Sequence, residues 1–209
     1  MKTCEYDGAP FTEPRSHPWT GSAASPEHRF LDLRAEPSQI RTSLEDFVPW
    51  SHYPAIDAFY TLLEWLNAPA STLESNDCAF TGPHANDAAS FPKALQCSGR
   101  VIVIFSTLAK NLSRARVESF KDALHHRLGP IDADFRWGMI GTTILPVRYV
   151  TLPGTDASRL GYQLMISFWA WGDDEAELMA NLGRVVANLS RGLHGVAGVH
   201  GMGAESMSS

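Results

Sequence analysis

The stretch YQLMISFWAW, residues 162–171, alternates between two sets of side chains and is the clearest structural signal in the chain. Alternate residues from Tyr162 to Ala170 fall on one face of an extended strand, and those from Gln163 to Trp171 fall on the other. The first set is apolar apart from the tyrosine hydroxyl, whereas the second carries two tryptophans and two polar residues. This pattern predicts a β-strand with two chemically different faces.

A helix is predicted directly after this strand. Asp174 is followed three residues later by Glu177, a spacing typical of a capping box at a helix start. An apolar stripe at helical spacing then continues from Leu178 to Leu193. The acidic residues of this first turn suit the positive end of the helix dipole.

A strand, a helix and a second strand are predicted upstream. Residues 101–105, VIVIF, are apolar on both faces, which is typical of a central strand covered on both sides. A helix capped by Ser113 follows and stops at Gly129-Pro130. Residues 135–145 are extended, and Pro146 is expected to break this strand before residues 147–152 resume it.

The predicted element order from residue 100 to 193 is β-α-β-β-α. We therefore expect an α+β fold with a single mixed sheet of about four strands, helices packed on it, and a ferredoxin-like layout. Upstream, apolar spacing predicts a short helix over 37–48 and a buried helix starting at Pro54. Residues 69–93 are predicted to be a long loop in which 72–80 could form a strand.

Three regions are predicted from composition. Residues 1–30 contain several prolines and no regular apolar period, and we expect an irregular arm. Residues 31–193 are expected to form a single α+β domain. Residues 194–209 are rich in glycine, and we expect a flexible tail.

Charge and composition disfavour several classes of partner. The 209 residues include 17 basic and 23 acidic side chains, a net charge of −6, and the basic residues form no stripe that would neutralise phosphates. The longest apolar runs are about five residues, far below a membrane span. We expect neither nucleic acid nor membrane as a partner.

The positions of the cysteines bear on the cellular location, and those of the histidines bear on metal binding. The three cysteines are odd in number, lack a C-x-x-C motif and follow no apolar leader, so a cytoplasmic location is expected. His125 and His126 are adjacent on a predicted helix and point about 100° apart, which prevents them from chelating one ion. We expect no metal site and no cofactor.

The strongest candidate binding residues are aromatic. Trp169 and Trp171 share one strand face with Gln163, and Trp137 is expected on an adjacent strand. If no helix covers this face, it is an aromatic platform of the kind that marks a ligand or partner site. If helices cover it, the same side chains belong to the core.

An alternative site centres on Cys78. Glu74, Asp77 and His84 lie close to it in sequence and could assist a nucleophilic thiol. The nearest neighbour, Asp77, would however raise the thiol pKa, and His84 could serve only if the loop folded back. A polar loop with a small buried cysteine explains the same residues.

These patterns favour a non-catalytic binding or accessory protein. It would engage a protein partner, or a second copy of itself, through the aromatic sheet face or the 69–93 loop. The alternative is a small-molecule enzyme with a Cys78-centred site in the 72–84 loop. A weaker third hypothesis is a sheet domain that holds a flat aromatic compound against Trp169 and Trp171.

Overall fold

The fold is built from one sheet and a layer of helices. In the computed structural model the described residues are 1–5, 15–18, 32–87, 91–150 and 157–202. For 15–18 and 198–202, only the backbone is described. The strands are β1 (Lys2–Glu5), β2 (Arg15–Pro18), β3 (Leu73–Phe80), β4 (His84–Ala85), β5 (Leu95–Phe105), β6 (Gly138–Val150) and β7 (Ser158–Gly172). The α-helices are α1 (Pro54–Leu66), α2 (Leu108–Asn111), α3 (Arg114–Leu128) and α4 (Glu175–Met202).

The sheet is mixed and has the strand order β1-β6-β7-β5-β3, with β2 also paired to β6 and β4 to β5. β1 and β2 run parallel to β6, whereas the other pairs are antiparallel. Because β5 and β6 both oppose β7, they are parallel to each other with β7 between them. The α+β prediction is confirmed. The expected count of about four strands was too low, and the ferredoxin-like layout is not matched exactly, because β1, β2, β3 and β4 add to the sheet.

The long helices pack on one face of the sheet. α4 lies against β7 and is flanked by α1 and α3. Leu164, Ile166 and Phe168 of β7 join the main core beneath these helices. Met165, between them in sequence, belongs to a separate small cluster with Ile102 and Leu145 on the opposite face. The two predicted faces of β7 are therefore confirmed.

The start of α4 is capped as its sequence predicts. The Asp174 carboxylate accepts a hydrogen bond from the Glu177 backbone N–H at 2.8 Å. The Glu177 carboxylate accepts one from the Asp173 backbone N–H at 2.7 Å. Two N–H groups without a partner inside the helix are thus satisfied by side chains one turn apart.

Pro146 does not end the strand, contrary to the prediction. β6 continues through it, opposite Tyr162 of β7. The Trp171 N–H bonds the Trp137 carbonyl, so even-numbered β6 residues direct their backbone groups away from β7. On that outer side the register of β1 ends at Thr142 and that of β2 begins at Val147. Pro146 lies in the gap between these two registers, where a missing backbone N–H leaves no sheet hydrogen bond unmade.

The helix expected over 37–48 was wrong. This segment contains a 3₁₀ turn at Pro37–Arg41, and another follows at Val48–Trp50. Its apolar anchors, Ile40 and Phe47, are buried as the pattern required. Hydrogen bonds to the residue three positions earlier, such as Phe47 N–H to the Leu44 carbonyl, occur in place of a continuous α-helix.

Three further boundaries differ from the sequence predictions. The possible strand over 72–80 is confirmed as β3, whereas β4 (His84–Ala85) lies in a part of the 69–93 segment that was expected to be loop. α4 continues to Met202, which places the expected start of the tail at residue 194 inside a helix. The arm expected over 1–30 includes β1 and β2, and its residues 6–14 and 19–30 lie outside the described residues.

Candidate functional site

A β-bulge in β3 sets which side chains face the helices. The register with β5 shifts between Ser75 and Asp77, so Asn76 is an extra residue. Asn76 donates a hydrogen bond to Gln163 at 2.6 Å, and Asp77 accepts one from Arg100 at 3.0 Å, both on the face opposite the helices. The bulge thereby keeps Cys78 on the helix side.

Backbone groups of β3 alternate between its partner strand and its outer edge. The Thr81 N–H bonds the Ser98 carbonyl, and the Ser106 N–H bonds the Thr72 carbonyl. In an antiparallel ladder, these bonded pairs alternate with residues whose groups point away from the partner. The outward-pointing residues of β3 are therefore Leu73, Ser75, Cys78 and Phe80.

The first half of this outer edge is closed by side chains. The Leu73 N–H donates to the Ser71 hydroxyl at 3.2 Å, and the Leu73 carbonyl accepts from Arg34 Nη2 at 3.4 Å. The Ser75 N–H donates to the Asn67 Oδ1 at 3.2 Å. No incoming strand can pair here without displacing these contacts.

The second half of the edge has no hydrogen-bond partner among the described residues. Within the described ranges, no hydrogen bond engages the outward N–H or carbonyl of Cys78 or Phe80. A row of such groups is a template for strand pairing with another chain. This stretch is short because Ser75 precedes it and β3 ends at Phe80.

A groove runs beside the open edge. Segment 43–47 and Cys78 line a cavity of about 240 Å³. Phe47 closes its inner side, since this ring is 1% exposed and stacks on Phe80. The volume is below the roughly 300–1,000 Å³ typical of small-molecule sites, so it suits a side chain better than a whole metabolite.

The rim of this groove is acidic. Glu45 and Asp46 line it and are exposed, and no cation pairs with either among the described residues. Asp77 differs, because Arg100 Nη2 lies 3.0 Å from its carboxylate. The groove therefore carries two carboxylates without a neutralising partner.

The Cys78 thiol is held protonated. Burial, followed by the charges of Asp77 and Asp46, raises its pKa to about 12. A nucleophilic cysteine requires the opposite environment.

The predicted helpers of Cys78 have other roles. Glu74 pairs with Arg34 at 3.5 Å, and burial raises the pKa of its carboxyl. His84 pairs with Gln96 on β5, whereas Cys78 pairs with Val101. Five residues of strand separate those positions, about 17 Å. The structure thus brings Cys78 together with Asp77 but not with His84, and the Cys78-centred enzyme loses its base.

The predicted aromatic set is only partly accessible. Trp171 is 2% exposed, and its ring stacks on Phe91 with centroids 3.8 Å apart. Gln163 is 3% exposed and bonded to Asn76. Trp137 and Trp169 are half-buried, and Lys93 Nζ lies 4.7 Å from the Trp137 ring centroid. The role of these residues in binding stays a prediction, with ring surface left on Trp137 and Trp169.

Sequence reasoning missed the groove residues. Glu45, Asp46 and Phe47 fall in a segment that was expected to be helical, which would have spread their side chains around a cylinder. The available signal was the consecutive acidic pair before a phenylalanine and a proline, since Pro49 ends any regular element there. Their closeness to Cys78, some thirty positions away, comes from tertiary packing.

Neither metal ligands nor a membrane-spanning helix is found in the described ranges. No three His, Cys, Asp or Glu side chains there lie close enough to hold a metal ion. No helix among the same residues is long and apolar enough to cross a membrane. Comparisons with protein-family models, curated proteins and solved structures found no match. The functional conclusion therefore rests on the geometry of the chain itself.

Proposed function

We propose that this chain is a non-catalytic binding protein that engages a protein partner through its 69–93 segment. An extended stretch of the partner would add as a strand to the open edge of β3 at Cys78 and Phe80. The observation that carries this proposal is the pair of outward backbone positions without hydrogen bonds beside the 43–47 groove. Edge-strand addition is a recurring mode of peptide recognition.

The free energies of backbone pairing and of association indicate that a partner needs both the edge and the groove. The two residues offer four backbone groups, and each net hydrogen bond contributes about 0.5–1.5 kcal/mol. Association costs about 4–15 kcal/mol in lost translational and rotational freedom. Backbone pairing alone is therefore too weak. A partner side chain seated in the groove, against Leu44 and Cys78 and beside the acidic rim, supplies additional stabilisation.

The aromatic sheet face is the less favoured surface. Trp171 and Gln163 present almost no area to a partner. Backbone groups without hydrogen bonds among the described residues, and an adjacent groove, make the β3 edge the better candidate of the two surfaces expected from the sequence.

The test is affinity capture by the immobilised full chain from an extract of its host, with three variants. Cys78→Pro removes the outward N–H without touching the ladder to β5, a position where proline is tolerated in an edge strand. Trp169→Ala alters the sheet face. Cys78→Met occupies the groove and serves if the proline variant fails to unfold cooperatively.

We expect one partner to be retained by the wild type and by Trp169→Ala. We expect its recovery to fall at least tenfold with Cys78→Pro or Cys78→Met. In the purified complex, the Cys78 and Phe80 amides should become protected from hydrogen exchange. The proposal is overturned if no partner is retained, if recovery is unchanged by the edge variants, or if those amides stay unprotected in the complex.

A further inference from the structure

Chemistry at the groove identifies the kind of segment that the edge would accept; this inference rests on the proposed function. A residue placed opposite Cys78 on an added strand would share the face of Cys78 and point into the groove. It would meet Leu44 along its length and the carboxylates of Glu45 and Asp46 at the rim.

We infer that the partner presents a lysine or arginine opposite Cys78, within an extended segment. The aliphatic stem of such a side chain packs on Leu44 while its charged end stays at the solvent-exposed rim. There the head group pairs with Glu45 and Asp46, which have no ion-pair partner among the described residues. The half-buried Leu44 and the acidic rim are thus matched by one amphipathic side chain.

Two properties of the site favour a cation over other occupants. A carboxylate in the groove would face Glu45 and Asp46 at short range, and like charges repel. Burial, then Asp77 and Asp46, raise the pKa of the Cys78 thiol, in keeping with the place of Asp46 beside it in the groove lining.

A second copy of this chain is disfavoured on the same ground. Two β3 edges paired with each other would bring both acidic rims together, and the chain carries a net charge of −6. Self-pairing would therefore weaken at low salt, where charge repulsion is least screened. A cationic segment would instead bind more tightly at low salt.

The test uses three synthetic peptides with the sequence Thr-Val-Thr-X-Thr-Val-Thr, where X is Lys, Gln or Glu. The full chain is labelled with ¹⁵N, and the Cys78 and Phe80 amide shifts are followed during titration. We expect the Lys peptide to bind at least fivefold more tightly than the Glu peptide, with Gln between them. The preference should shrink as salt is raised.

The double variant Glu45→Lys/Asp46→Lys should reverse the order of Lys and Glu. Glu36→Lys/Asp134→Lys changes the net charge equally at two exposed positions that do not line the groove and should leave the order unchanged. Equal affinity of all three peptides would overturn the cationic inference but keep strand addition.

No shift at these amides with any peptide would overturn strand addition, and the cationic inference with it. Shifts that depend on protein concentration without peptide would assign the edge to a second copy, and would also overturn the inference.

Discussion

The ring of Phe47 stacks on the ring of Phe80, with centroids 5.3 Å apart and planes 18° apart. Phe47 also stacks on Phe59 of α1 at 4.8 Å. This three-ring column joins segment 43–47, the end of β3 and helix α1. It holds the groove wall beside the open edge, although no regular secondary structure runs through residues 42–46.

Phe47→Ala should therefore destabilise the fold and remove the groove. Phe47 is 1% exposed, and truncation of a buried phenylalanine typically costs about 3–5 kcal/mol. The free energy of unfolding, measured by urea denaturation, should fall by that amount. Val48→Ala is the matched control, since Val48 is 44% exposed and should change the free energy by less than about 0.5 kcal/mol. A loss below about 1 kcal/mol for Phe47→Ala would contradict the packing described.

Cys78 should react slowly with iodoacetamide in the folded protein. Burial and nearby carboxylates raise its pKa to about 12, and burial raises that of Cys97 to about 12 as well. At pH 8 the thiolate fraction is then far smaller than in an unfolded chain, so alkylation should be roughly a hundredfold or more slower than in urea. Peptide mass spectrometry reports each site separately. Fast labelling of Cys78 alone, with a depressed pKa, would restore the enzyme hypothesis.

His125 should make stability depend on pH. Its Nε2 lies 2.6 Å from the Thr142 hydroxyl, between α3 and β6, and burial lowers its pKa below the ordinary 6.5, with Glu5, Lys121 and Asp122 nearby. A lowered pKa in the folded state means that the unfolded chain binds the proton more readily. Stability is thus full above pH 6.5 and decreases as the pH falls from 6.5 to the lower folded pKa.

The measurement is the free energy of unfolding at pH 7.5 and 5.5 for wild type and two variants. In His125→Gln the decrease between these values should be smaller than in the wild type. His126→Gln changes the exposed neighbour and should behave as the wild type does. If the free energy of unfolding depended on pH identically in all three proteins, His125 would not be the cause of that dependence.

Local patterns in the sequence were sufficient for the long elements. Alternation over 162–171, the apolar run at 101–105 and the acidic cap at Asp174 and Glu177 each depend on neighbours within one strand or one helical turn. The structure places β7, β5 and α4 there. These elements supply nearly half of the buried residues of the main core, so the α+β class followed from them.

Features that depend on pairing between distant segments were not predictable. Parallel pairing of β1 and β2 with β6 joins residues more than a hundred positions apart. The bulge at Asn76 is defined only by the pairing of Ser75 with Val103 and of Asp77 with Ile102. Pro146 is tolerated because β1 and β2 leave a gap beside it on β6. The open edge arises in the same way, since Arg34 and Asn67 close one half and leave the other.

Amide hydrogen exchange of the free protein, resolved by residue across β3, tests the open edge most directly. The Cys78 and Phe80 amides should exchange rapidly, while the Ala79 and Thr81 amides, which face β5, should be protected at least tenfold more strongly. Equal, strong protection at all four positions would show that another part of the chain already covers this edge, and would contradict the account.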